Sequence, residues 1–78
     1  MILRIVFPDQ PAAEYECDSL HLPIEDGDMG VRKGHMPCIA ALSKGRVLAL
    51  MNESEVYSAE ITGGFAEISA DRINICIR

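Results

Sequence analysis

The sequence has no long apolar run; the longest, Cys38 to Leu42 and Val47 to Met51, are five residues each. A membrane-spanning helix needs about 20, so no such helix and no direct membrane insertion are expected. There is no excess of basic residues either. Seven Lys and Arg stand against twelve Asp and Glu, a formal net charge of −5. That sign is wrong for a partner whose affinity comes from neutralised phosphates, which argues against nucleic acid and an anionic lipid surface. The opening residues Met1 to Phe7 carry Arg4 among the apolar ones and Asp9 soon after, unlike a signal peptide's basic region followed by a long apolar one. A cytoplasmic address is the expectation.

Motifs for chemistry are also missing. Three cysteines, Cys17, Cys38 and Cys76, cannot all pair and form no C-x-x-C knuckle, so they read as buried thiols. Neither Gly63-Gly64 nor Lys33-Gly34 nor Lys44-Gly45 completes a phosphate loop ahead of a helix, so no nucleotide site is expected. The acidic run Glu25-Asp26-Gly27-Asp28 fails the calcium-loop pattern: with Gly27 at its invariant glycine position, Leu22 comes first; with Gly30 there, Gly27 falls where an acid is required. His35 precedes Cys38 by three residues, yet a Cys/His nucleophile also needs an orienting group and an oxyanion hole. The expectation is a protein with no catalytic residue, metal, cofactor or small-molecule substrate.

What is present is a period of two. In Leu20-His21-Leu22-Pro23-Ile24 the odd positions are polar or proline, and in Ile73-Asn74-Ile75-Cys76-Ile77 three isoleucines share a face. Comparable strands are expected at 2–7, 14–19, 38–42, 46–51, 55–61 and 64–69, separated by turn residues such as Ser43-Lys44-Gly45 and Met51-Asn52-Glu53. No window carries a capped helical pattern. At 78 residues one domain, 1–78, is the limit. Strands 38–42 and 46–51 are apolar on both faces, although a sandwich strand buries one. Their spare positions, Ile39, Ala41, Leu48 and Leu50, are candidates for docking a partner.

The stretch from Leu22 to Pro37, with Glu25-Asp26-Gly27-Asp28-Met29-Gly30 followed by Lys33-Gly34-His35-Met36-Pro37, resembles the epsilon subunits of F-type ATP synthases, which carry acid-Gly-acid-x-Gly and then Pro-Gly-His-x-Pro. Ile61-Thr62-Gly63-Gly64-Phe65-Ala66-Glu67-Ile68 resembles that family's Gly-Gly-Phe-x-Glu-Val strand, Tyr15-Glu16-Cys17-Asp18-Ser19-Leu20 its Tyr-Glu-Gly-Glu strand, and Leu42-Ser43-Lys44-Gly45 its Leu-x-Pro-Gly turn. Lys33 and Lys44 replace prolines common in the family, so both turns lose a fixed φ.

The resemblance implies an all-β fold, a flattened antiparallel β-sandwich or barrel of about ten short strands, without the family's C-terminal helical hairpin. Residues 1–78 end just after the last expected strand, so a short form is expected, and the inhibition and ATP binding that those helices carry are not inferred. The implied role is that of a non-catalytic rotor subunit in the central stalk, on the cytoplasmic face of the membrane. Its partners would be the gamma subunit, through Ile39, Ala41, Leu48 and Leu50, and the c-ring, through a loop end holding Asp28 and His35 with Glu25 and Asp26 beside them. Gly27, Gly30, Gly34, Pro37, Gly63 and Gly64 would shape the turns. The alternative is a free-standing β-sandwich interaction module unrelated to rotary ATPases.

Overall fold

Strands follow from the alternation, and the computed structural model, which describes all of residues 1–78, contains nine of them and no helix. They are β1 (Ile2–Val6), β2 (Ala13–Glu16), β3 (Ser19–Ile24), β4 (Gly27–Arg32), β5 (Cys38–Leu42), β6 (Gly45–Met51), β7 (Ser54–Ile61), β8 (Gly64–Ile68) and β9 (Arg72–Ile77). Two sheets form, in the orders β2-β1-β9-β8-β5 and β4-β3-β6-β7. The whole measures 28 × 28 × 21 Å, a flattened sandwich.

The count is nine rather than about ten, and one pairing departs from an antiparallel pattern. β1 and β9 run parallel, with Ile2 opposite Arg72 and Val6 opposite Cys76. Parallel neighbours need a long crossover, and here everything between the first and last strands serves as one. The strand missed in the sequence is β4, which begins within the acidic run Glu25–Asp28 and continues to Arg32. Its glycines and aspartate are poor strand formers, but six residue pairs with β3, from Ser19 opposite Arg32 to Ile24 opposite Gly27, hold it extended.

Inward positions of both sheets meet in one core of 14 buried residues, among them Leu3, Ile5, Leu20, Leu22, Ile73 and Ile75, all with no exposed surface. Burying such a side chain stabilises the fold by about 1.5–3 kcal/mol. Cys17 joins that core, whereas Cys38 is half-buried and Cys76 exposed. The expectation of three buried thiols therefore holds only for Cys17: Cys38 is covered in part, and alternation along β9 points Cys76 away from the face shared by Ile73 and Ile75.

The registers sort the connections to two ends. Segments 7–12, 25–26, 43–44 and 62–63 lie at one end, where Arg78 N–H donates to Gly63 O and Ser43 N–H to Pro23 O. Segments 17–18, 33–37, 52–53 and 69–71 lie at the other, joined by bonds from Gly34 N–H to Ala70 O and from Asp18 N–H to Leu50 O.

Candidate functional site

β4 runs between the residues expected at the loop end, and being a strand it spreads them out. Glu25 and Asp26 form the two-residue turn between β3 and β4, and Asp28 follows on the exposed face of β4. His35 lies beyond the far end of the strand. At about 3.3 Å per residue, the six residues of β4 put about 17–20 Å between the turn acids and the start of the 33–37 segment that holds His35. The four residues are not one cluster: the acids mark one end of the sandwich and His35 the other.

Both ends are pinned by local bonds. His21 Nδ1 donates to Asp28 Oδ2 at 2.9 Å across the β3–β4 ladder, with both side chains about half exposed. His35 Nδ1 donates to the Met36 carbonyl at 2.8 Å, and His35 N–H donates to Arg32 O at 3.1 Å. Among the turn residues, Gly34 and Gly63 sit at connections with positive φ, and Gly64, also at positive φ, opens β8. Gly27 opens β4, also at positive φ, and Pro37 precedes β5. Gly30 is not a turn residue; it lies inside β4 opposite His21.

The four apolar candidates also separate. Ile39 and Ala41 point outward from β5 in the five-stranded sheet, and Leu48 and Leu50 outward from β6 in the four-stranded sheet. Outer faces of opposite sheets look in opposite directions, so no single flat partner covers all four. Their surroundings differ as well. Leu48 lies beside a polar network in which Arg46 Nη2 donates to Ser58 Oγ at 3.1 Å and Ser58 Oγ donates to Glu55 Oε2 at 3.0 Å.

On the five-stranded sheet the registers align Val6, Cys76, Phe65 and Ala41 in one row across β1, β9, β8 and β5. Phe65 is 52% exposed and Ile39 74% exposed. The guanidinium carbon of Arg78 lies 5.7 Å from the Phe65 ring centroid. Phe65 was not among the sequence candidates. The available signal was its position alternating with Glu67 on the polar side of β8, where an aromatic residue has no core to enter.

Comparison with known proteins bears on this geometry. Residues 1–78 match the family described as ATP synthase, Delta/Epsilon chain, beta-sandwich domain. The ATP synthase epsilon chain of Trichodesmium erythraeum is 32% identical over 77 residues, covering 99% of this chain and 56% of the relative. That of Cereibacter sphaeroides is 37% identical over 71 residues, covering 91% of this chain and 53% of the relative. The chain thus spans about half the length of the curated relatives it matches.

In solved structures, a chain of the Euglena gracilis mitochondrial ATP synthase superposes with a TM-score of 0.83 at 21% identity, over 96% of this chain and 48% of that one. One from the Tetrahymena thermophila mitochondrial ATP synthase, in a central stalk and c-ring structure, gives 0.78 at 14% identity, over 97% and 61%. These two likenesses establish the fold. With the match over its whole length and the identity to epsilon chains, this chain belongs to the ATP synthase delta/epsilon family, as its β-sandwich domain.

Proposed function

We infer that this chain is a non-catalytic subunit of the central-stalk rotor of an F-type ATP synthase, on the cytoplasmic face of the membrane. In this reading it binds the gamma subunit and the c-ring, and it passes torque between ion translocation and ATP synthesis. Family membership leaves no support for a module unrelated to rotary ATPases.

The observation that carries the reading is the presence of two chemically different surfaces on one hydrogen-bonded sandwich. The apolar row Val6-Cys76-Phe65-Ala41, extended by Ile39, is a hydrophobic face of the kind that forms an interface core. It is the side assigned to gamma. The hairpin acids Glu25 and Asp26, with Asp28 behind them, form a polar end suited to basic or amide groups, where they set register and steer encounter more than they add affinity. That end is assigned to the c-ring. His35, at the opposite end, and Leu48 and Leu50, on the opposite face, drop out of these two contacts.

Cross-linking in the assembled complex tests the orientation. With Cys17, Cys38 and Cys76 replaced, Asp26→Cys and Asp28→Cys are expected to form disulfides with a cysteine in the polar loop of the c subunit, which requires Cα atoms within about 7 Å. His35→Cys is expected to form none. A bridge from His35→Cys alone would invert the assignment of ends.

A further inference from the structure

A chain with twelve acids and seven Lys and Arg nevertheless has one depression lined by no carboxylate at all. It lies on the outer face of the four-stranded sheet where β4 ends, has a volume of about 410 Å³, and is bordered by Ser19, His21, Arg32, Lys33 and His35 with Gly30 at its floor. The ion pairs of the chain are Arg4–Glu14, His21–Asp28 and Arg46–Glu55. Arg32 and Lys33 take part in none of them. Charge is thus segregated along a single strand: Glu25, Asp26 and Asp28 at its beginning, Arg32, Lys33 and His35 at its end.

We propose that this basic depression docks a carboxylate-bearing segment of a partner protein. The turn that presents it is held in place, with Gly34 N–H donating to Ala70 O at 2.6 Å and His35 N–H to Arg32 O at 3.1 Å. Those same bonds argue against a phosphate site, which takes convergent free backbone N–H groups; here both are occupied. A long polyanion is disfavoured by the net charge of −5 and by the acids at the other end of β4. The neighbouring depression, bordered by Asp18 and Glu53 as well as Arg32, mixes signs and so limits the basic footprint to a short acidic segment. Gly30 leaves the floor open: a Cβ there meets nothing within 4 Å. The proposal does not depend on which end of the sandwich meets the c-ring.

The experiment is a ¹⁵N-resolved NMR titration of the chain with hexaglutamate at low salt, with inorganic phosphate and hexalysine as separate arms. Hexaglutamate is expected to shift the amides of Ser19, Gly30, Arg32 and Gly34. The double variant Arg32→Gln/Lys33→Gln should weaken binding by about 5- to 10-fold, the scale of two exposed ion pairs. Gly30→Val, which fills the floor without changing charge, should abolish binding while keeping a dispersed spectrum. Shifts located elsewhere, binding indifferent to the double variant, or phosphate saturating at lower concentration than the peptide would each overturn the proposal. Tighter binding of hexalysine than of hexaglutamate at these amides would do the same.

Discussion

Tyr15 of β2 and Tyr57 of β7 stack with ring centroids 4.7 Å apart and planes tilted by 33°. Each lies on the terminal strand of its sheet, so the pair closes the sandwich along one side. Tyr57→Ala is expected to cost about 1–3 kcal/mol, part burial and part ring contact. A double-mutant cycle with Tyr15→Leu by urea unfolding measures the pair; a coupling energy of zero would mean that the edges are held by the backbone alone.

Burial raises the Cys17 thiol above its ordinary value of 9.0; the N-terminal charge opposes the shift, and Asp18 and Glu16 add to it. Burial, with Tyr15 adding, likewise raises Tyr57 above 10.0. For an acid whose folded value exceeds its unfolded one, the stability contribution is complete below the unfolded value and disappears as pH rises through the folded one. Unfolding free energy should therefore decline above pH 9.0, and less steeply in Cys17→Ala. A thiol reagent should modify Cys76 first, Cys38 more slowly and Cys17 only on unfolding, which mass spectrometry of quenched samples will order.

Two backbone positions have opposite expectations. Gly64 has φ +149, and a Cβ there would overlap the Cys76 carbonyl oxygen, so Gly64→Ala should destabilise by about 2–4 kcal/mol. The β6–β7 turn places Asn52 at φ 51 and Glu53 at φ 66, the left-handed pair that favours Asn-Gly. Glu53→Gly should stabilise by about 0.5–1 kcal/mol. Thermal melts compare both; a lower Tm for Glu53→Gly would show that its side chain compensates for the strain.

Charge placed on either outer face separates the two docking assignments. Phe65→Asp should weaken binding to the gamma subunit by about 1–3 kcal/mol with little change in fold stability, because the side chain is 52% exposed. Leu48→Asp, on the opposite face, should leave that binding unchanged. Calorimetry of each variant with gamma decides, and the reverse pattern would move the interface to the four-stranded sheet.

Alternation made most strands legible, because it records which side of each faces the core: β5 was expected at 38–42 and forms at Cys38–Leu42. β4 was not legible, since Gly27, Asp28 and Gly30 give no strand signal and its order comes from β3. For the candidate site, residue types were readable but their grouping was not. Glu25 and His35 are near in sequence and far apart along a strand, while Ile39 and Leu48 sit on either side of a turn that carries the chain from one sheet to the other. Period two says which face a residue takes within its own sheet and nothing about which sheet that is.

The parallel pairing of β1 with β9 sets the order in which this chain can acquire structure on the ribosome. β9 stands between β1 and β8, so until the last strand emerges the larger sheet exists only as the pairs β2-β1 and β8-β5, and two-stranded ribbons are marginal in water. In a nascent chain halted before Arg72 the strands β1, β2, β5 and β8 should remain protease-sensitive, and their protection should arrive in a single step once Arg72–Ile77 clears the exit tunnel. Vectorial synthesis gives the larger sheet no head start: it waits for β9 and then closes all at once.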